Sequence, residues 1–81
     1  MTYACPCCGY LTFEEEPSGT FEICPVCYWE DDNVQNSNPA YTGGANIICL
    51  NIAKENFVKY GASQEKFIKM VRKPFLDEIS K

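Results

Sequence analysis

The sequence predicts a small α+β domain that is stabilised by a metal ion, and three observations lead to this fold class. The chain has only 81 residues, and a domain of this size buries too little surface to be stable without a disulfide, a metal or a partner. Its six cysteines include two Cys-Pro-x-Cys motifs in the N-terminal half. The C-terminal half carries apolar residues at helical spacing. We therefore expect one domain over residues 1–81, with a β-hairpin that bears two cysteine turns, then a loop and two short α-helices.

The composition fits a globular domain and excludes several classes of protein. Hydrophobic residues make up 46% of the chain and the formal net charge is −4, so the positive field of a nucleic-acid-binding domain is missing. Histidine is absent, which removes the commonest general base and every histidine-containing metal site. No apolar run approaches the ~18 residues of a membrane span, and no signal-peptide pattern is visible. We therefore expect a cytoplasmic protein, where closely spaced cysteines bind metals rather than form disulfides.

A short internal repeat defines the N-terminal part of the chain. Residues 3–10, Tyr-Ala-Cys-Pro-Cys-Cys-Gly-Tyr, are echoed by residues 22–29, Glu-Ile-Cys-Pro-Val-Cys-Tyr-Trp. Between the two copies, residues 11–13 are predicted to form a strand, residues 17–19 a turn and residues 20–23 the returning strand. The expected result is a hairpin with one cysteine turn, or knuckle, at each open end.

The hairpin occupies residues 1–32, and the chain after it divides into a loop and a helical part. Residues 33–46 are rich in Asn, Gly, Ser and Pro, and we predict an ordered loop there. Residues 47–81 are predicted to be a helical appendage that packs on the hairpin. Its first helix, over residues 47–60, carries one apolar stripe and stops at Gly61.

The second helix is predicted over residues 64–73, between an N-cap at Ser63 and a stop at Pro74. Phe75 and Leu76 are expected to pack on the core after it. The inner face of this helix would contain Phe67, Ile68, Met70 and Val71. Its outer face would contain Lys66, Lys69, Arg72 and Lys73.

Charge is divided unevenly along the chain. Residues 1–32 contain seven acidic residues and no base, a charge of −7, whereas residues 33–81 contain seven bases against four acids, a charge of +3. We therefore expect an acidic ribbon at one pole and a solvent-exposed basic helix face at the other.

The strongest functional signal is the spacing Cys5-x2-Cys8-x15-Cys24-x2-Cys27. A Cys-x-x-Cys turn directs two sulfurs at one point, and two such turns together form the tetrahedral site that Zn²⁺ prefers. One zinc ion per chain is therefore predicted, with iron as the less favoured metal. A disulfide framework and a redox-active Cys-x-x-Cys pair are the alternatives.

Five residues beside or beyond these ligands have predicted roles. Gly9 permits the positive φ that closes the first knuckle, whereas Tyr28 stands at the equivalent position of the second. Cys7 is expected to be a spare thiol at the surface, either reactive or able to replace a neighbour as a ligand. Cys49 lies on the helical stripe and acts as a small hydrophobic residue. Tyr28 and Trp29 either cover the metal or, with the acidic residues that follow, form an exposed surface for a partner.

These motifs resemble the bacterial cysteine-rich CPCC family, which is named for its Cys-Pro-Cys-Cys run. The resemblance covers residues 5–10 and 24–32 and continues through residues 38–46 to Phe57. It implies a small bacterial metal-binding domain and no particular reaction, because the family is uncharacterised in function. The knuckles are also similar to those of zinc ribbons and of rubredoxin, an iron electron carrier. Rubredoxins have a longer gap between knuckles and a glycine where Tyr28 stands, so zinc is favoured over iron.

The predicted function is a zinc-binding module for protein–protein interaction rather than an enzyme. Four cysteine ligands leave no open position for water at the metal, and no catalytic histidine is present. Two other functions stay open: an electron-transfer or redox protein that uses iron or Cys7, and a nucleic-acid-binding zinc ribbon. Only the basic helix face supports the binding of nucleic acid, so that function is disfavoured.

Overall fold

The computed structural model describes residues 2–79, and its regular elements are short. The predicted domain of residues 1–81 extends beyond this range at both ends. In chain order the elements are β1 (Tyr3–Ala4), β2 (Leu11–Phe13), α1 (Asn33–Ser37), α2 (Leu50–Tyr60) and two 3₁₀ segments, Glu65–Met70 and Leu76–Glu78. They pack within 33 × 25 × 18 Å.

The two strands form an antiparallel hairpin whose tip is the first knuckle. Tyr3 pairs with Phe13, and the register shifts by an irregularity before Ala4 pairs with Leu11. The predicted hairpin between residues 11–13 and 20–23 is therefore wrong. Each cysteine turn reverses the chain by itself, so the strand before a knuckle pairs with the segment directly after it. This pairing closes the shortest loop and therefore loses the least chain entropy.

The segment before the second knuckle pairs in the same local way. Ile23 forms an isolated antiparallel bridge with Glu30, and the Phe21 N–H donates to the Asp31 carbonyl at 3.0 Å. The chain thus contains two small hairpin-like units, each with a knuckle at its tip, in place of one hairpin with two open ends.

The core lies between these two units and the single long helix. Trp29 is fully buried at its centre, and its indole N–H donates to Asn36 Oδ1 at 3.1 Å. α2 presents Leu50 and Ala53, three residues apart, to this core. The other buried members are Cys5, Cys7, Phe13, Cys24, Val26 and Cys27.

α2 confirms most of the first predicted helix and corrects its start. It ends at Gly61, whose φ of +79° forms the expected left-handed cap. It begins at Leu50 rather than residue 47, because Cys49 has extended backbone at the N-cap position. The Cys49 side chain is buried there.

The predicted loop over residues 33–46 is ordered by a buried polar network and contains α1. Asp32 caps α1 through Oδ1, which accepts from the Val34 and Gln35 N–H groups, while Oδ2 accepts from the Ala45 N–H at 2.8 Å. The Gln35 side chain is fully buried, and its Nε2 donates to the carbonyls of residues 41, 46 and 48. Its Oε1 accepts from the backbone N–H and the side-chain amide of Asn46.

Gly44 is required by this network. A Cβ atom at Gly44 would lie 2.6 Å from Asp32 Oδ2 and 2.7 Å from the Gln35 side chain. The glycine therefore lets the loop backbone approach the two side chains that fix it.

The second predicted α-helix is wrong, and so is the expected packing of its apolar face. Residues Glu65–Met70 form a 3₁₀ segment that ends where Val71 becomes extended. Ile68 and Met70 are exposed, as is Phe75, and Leu76 is 89% exposed.

The cause lies in long-range backbone bonds. The Ser63 N–H donates to the Cys27 carbonyl at 2.7 Å, and the Arg72 N–H donates to the Pro25 carbonyl at 3.1 Å. These two bonds fix both ends of the segment against the second knuckle, so its path is set by residues distant in the sequence.

The basic residues of this segment lie largely as expected. Lys66, Lys69 and Lys73 are exposed, and Arg72 is partly exposed. Arg72 forms a bidentate ion pair with Glu78 at 2.8 Å. Within residues 2–79, none of the four pairs with the acidic residues of the N-terminal part.

Replacement of Gln35 by alanine tests the buried network. We expect Gln35→Ala to lower the free energy of unfolding by about 3 kcal/mol, because buried carbonyl and N–H groups lose their partner. Asn51→Ala, at an exposed position of α2, is the matched control and should change it by less than about 0.5 kcal/mol. Urea titration measures both, and equal effects would contradict this role of Gln35.

Candidate metal centre

The two knuckles are built by the same pair of backbone hydrogen bonds. In the first, the Cys5 N–H donates to the Tyr10 carbonyl at 2.9 Å and the Gly9 N–H donates to the Cys5 carbonyl at 2.9 Å. In the second, the Cys24 N–H donates to the Trp29 carbonyl at 2.9 Å and the Tyr28 N–H to the Cys24 carbonyl at 2.8 Å. The internal repeat of the sequence is therefore a repeat of structure.

The last residue of each knuckle has positive φ, which is +80° at Gly9 and +70° at Tyr28. A glycine adopts this conformation freely, whereas a tyrosine is strained by roughly 1–2 kcal/mol. The Tyr28 ring packs against Phe67 with centroids 4.4 Å apart. The side chain thus gains a contact between the second knuckle and the first 3₁₀ segment that glycine would lack.

The knuckles bring four sulfurs together. The Sγ atoms of Cys5, Cys8, Cys24 and Cys27 all lie within 4.8 Å of one another. Cys5 Sγ is 3.5 Å from Cys27 Sγ, and Cys8 Sγ is 3.8 Å from Cys24 Sγ. A tetrahedron with Zn–S bonds of about 2.3 Å has S···S edges of about 3.8 Å. The donor set and its spacing therefore fit one tetrahedral metal ion.

Two further groups form hydrogen bonds with these sulfurs. The Cys7 N–H approaches Cys5 Sγ at 3.4 Å, and the Thr12 hydroxyl lies 3.1 Å from Cys24 Sγ. Such donors spread the negative charge of a metal-bound thiolate and orient it. Thr12 was not predicted as a contact of the cluster, because a single hydroxyl in the three-residue strand β2 forms no recognisable motif.

The four cysteines of the cluster shift one another's pKa values in opposite directions. The pKa values of the Cys5, Cys8 and Cys27 thiols are raised above the usual range, mainly by hydrogen bonding to the Cys24 sulfur and further by burial. The pKa of Cys24 is lowered, because Cys27, Cys5 and Cys8 stabilise its thiolate. Four thiolates cannot share this site without a cation.

The other predicted residues differ from expectation in two places. Cys7 is only 8% exposed and belongs to the core, so the expected surface thiol is wrong. Trp29 is fully buried and cannot form part of an exposed partner surface. Tyr28 is partly buried, with its ring against Phe67. All six cysteines are free thiols.

Two of the three acidic residues after Trp29, Asp31 and Asp32, are buried rather than exposed. Asp31 is fully buried, and its Oδ2 accepts from the Gly19 N–H and from the N–H and hydroxyl of Thr20. Its Oδ1 accepts from the Asn36 amide. Asp31 therefore links the segment between the knuckles to α1 through hydrogen bonds. The acidic run in the sequence gives no indication of this role.

These features define a class of protein: a small domain whose two backbone-matched knuckles bury a cluster of four cysteines able to hold a metal. Residues 3–78 match the cysteine-rich CPCC family. The chain belongs to that family, as its motifs indicated. No curated protein matches it. Within residues 2–79, no helix is both long enough and apolar enough to cross a membrane.

Replacement of single cysteines tests the ligand set. We expect Cys24→Ser to lose the metal and unfold the N-terminal part, because structural zinc supplies about 10–16 kcal/mol in small domains. Cys7→Ser and Cys49→Ser, which change buried cysteines outside the cluster, should keep one metal per chain. Elemental analysis of the purified variants measures this, and metal loss in Cys7→Ser would make Cys7 a ligand.

Metal affinity should fall as the pH falls. The metal-bound cluster holds no thiol protons, whereas the metal-free cluster holds several at neutral pH, since the pKa values of Cys5, Cys8 and Cys27 are raised. Each proton displaced on binding weakens the apparent affinity by about tenfold per unit of pH. Competition with a chelator between pH 8 and pH 6 measures the trend. An affinity that does not change with pH would contradict it.

Proposed function

We propose that this protein is a small zinc-binding module whose metal has a structural role and whose surface binds another protein. The observation that carries the proposal is the cluster of four sulfurs within 4.8 Å of one another, supplied by two knuckles with the same hydrogen bonds. Two matched knuckles that meet in this way are the arrangement of a zinc ribbon, and we extend that description to this chain.

A structural role follows from the number and burial of the ligands. Four protein sulfurs complete a tetrahedral shell and leave no position for a substrate or an activated water. Cys5, Cys24 and Cys27 are buried, and the carbonyls of the second knuckle accept backbone hydrogen bonds from Ser63 and Arg72. The metal would therefore join the two knuckles, to which the C-terminal segment is bonded, without taking part in a reaction.

Zinc is proposed over iron on the chemistry of the knuckles. Zn²⁺ is redox-inert and has no geometric preference of its own, so it suits a site whose task is to hold a fold together. The fifteen residues between Cys8 and Cys24 lie within the spacing of four-cysteine zinc sites. An iron-loaded protein would absorb visible light, and a zinc-loaded one would be colourless.

The interaction role is supported by apolar side chains that the fold leaves exposed. They are concentrated in the C-terminal segment, where Ile68, Met70, Phe75 and Leu76 lie at the surface. The backbone bonds from Ser63 and Arg72 to the second knuckle and the Arg72–Glu78 pair hold this segment in place without burying those side chains. A protein partner that covers them would gain the apolar burial that the chain itself does not use.

Cobalt substitution tests the proposal. With Co²⁺ in place of zinc, we expect the visible absorption of a tetrahedral four-thiolate complex, at one ion per chain. Because the shell is complete, addition of imidazole or cyanide at modest concentration should leave the spectrum unchanged. A spectral shift on addition would indicate an open coordination position and contradict a purely structural metal. Visible absorption of the protein before substitution would indicate iron.

A further inference from the structure

Two surface features of this chain fit one another: a strained, exposed knob and an apolar cleft with a basic edge. We propose that the knob, residues 21–23, of one copy binds the cleft of a second copy, so that the protein self-associates. This inference rests on the proposed interaction role and names the partner, which is the chain itself.

The knob holds an aromatic ring in solvent at the expense of backbone strain. Phe21 has a φ of +61°, and in residues 2–79 only Tyr28 shares a positive φ among residues other than glycine. The strain at Tyr28 is explained by its place in the second knuckle, whereas Phe21 lies outside both knuckles. Phe21 is nevertheless 59% exposed, with Glu22 and Ile23 exposed beside it. Strain of this kind at a bulky exposed residue points to a function.

Backbone hydrogen bonds on both sides of Phe21 fix its strained conformation. The Phe21 N–H donates to the Asp31 carbonyl and the Asp31 N–H donates to the Glu22 carbonyl at 2.9 Å. The fully buried Asp31 is in turn bonded to Thr20, the residue before Phe21. The ring is therefore presented by backbone that is anchored on both sides, which lowers the entropy lost when a partner binds it.

The cleft has the size and lining to accept such a ring. It has a volume of about 340 Å³, at the lower end of the range for binding pockets. Its apolar walls come from the second knuckle, α2 and the C-terminal segment. Those walls include Val26, Phe57, Tyr60 and Ile68. Phe21 does not line the cleft of its own chain, so the ring and the cleft are both available to another copy.

The charges at the two features are complementary. Arg72 and Lys73 line the cleft, and no acidic residue does. Arg72 is already paired with Glu78, whereas the exposed Lys73 forms no ion pair within the described part of the chain. When Phe21 enters the cleft, the Glu22 carboxylate next to it would meet this basic edge. A partner carrying a basic residue beside its aromatic ring would be repelled.

A second copy is the occupant that these observations favour. The knob belongs to the part of the chain with a charge of −7 and the cleft is lined mainly by the part with a charge of +3. Two copies can therefore approach with the acidic part of one facing the basic part of the other. The contact joins different surfaces of the two chains, so it is heterologous and can close into a ring or extend.

Two complementary variants test the contact in the zinc-bound full chain. Phe21→Asn removes the ring while keeping a residue that tolerates positive φ, and Ile68→Glu places a carboxylate at the exposed edge of the cleft. We expect wild type to self-associate in sedimentation velocity from micromolar to millimolar concentration, less strongly at high salt. Each variant alone should associate at least about 30-fold more weakly. An equimolar mixture should form a heterodimer, because one variant keeps the knob and the other keeps the cleft.

Ile47→Asn is the matched control, since it removes another exposed apolar side chain outside the knob and the cleft. It should associate as wild type does, and metal content and amide spectra should show that every variant is folded. A wild type that stays monomeric at millimolar concentration, or variants that fail to form a heterodimer when mixed, would overturn this inference. The cobalt spectrum is independent of these outcomes, so the structural zinc proposal would stand or fail separately.

Discussion

The meeting of four sulfurs at one point is the constraint on which the rest of this structure depends. The paired strands are only two and three residues long, and a hairpin of that length is not stable in water by itself. Every larger piece is attached to the knuckles: Phe13 and Trp29 pack beside the cysteines, and Ser63 and Arg72 bond to carbonyls of the second knuckle. The strands and the C-terminal segment are therefore arranged around the cysteine cluster, and the buried apolar side chains pack directly beside it.

A second level of order comes from polar side chains that replace secondary structure. Asp31, Asp32, Gln35 and Asn46 are buried, and in residues 2–79 no buried side-chain N or O atom lacks a partner. Together they fix a stretch of about fourteen residues that has only one short helix. The backbone hydrogen bonds of Ala45 and Gln35 to Asp32 also lower the pKa of that carboxyl. Its stabilising charge is thus present above the pKa of an unfolded aspartate and is lost as the pH falls through the lower, folded value.

Sequence patterns predicted the elements whose structure is determined by neighbouring residues. They failed for segments whose structure is determined by contacts with residues distant in the sequence. The knuckles follow from Cys-x-x-Cys spacing, and α2 follows from one apolar stripe with a glycine stop, because each is determined within a few residues. The strand predicted over residues 20–23 is reduced to a bridge from Ile23 to Glu30, since a short strand pattern does not determine which segment it pairs with. The α-helix over residues 64–73 failed because bonds to Pro25 and Cys27 decide its path. The prediction that the acidic residues after Trp29 form an exposed surface failed for the same reason, since Asp31 is buried by groups up to twelve residues away.

Asn46 occupies the backbone groups at one edge of the second hairpin-like unit. Its side-chain Oδ1 accepts from the Glu30 N–H at 2.9 Å and its Nδ2 donates to the Glu30 carbonyl at 2.8 Å, the two bonds that a neighbouring peptide would otherwise make. One side-chain amide thereby caps the edge of the second hairpin-like unit, where an exposed row of backbone groups would act as a template for intermolecular strand pairing. With both backbone groups of Glu30 bonded to Asn46, this edge position offers no free N–H or carbonyl to a strand of another chain.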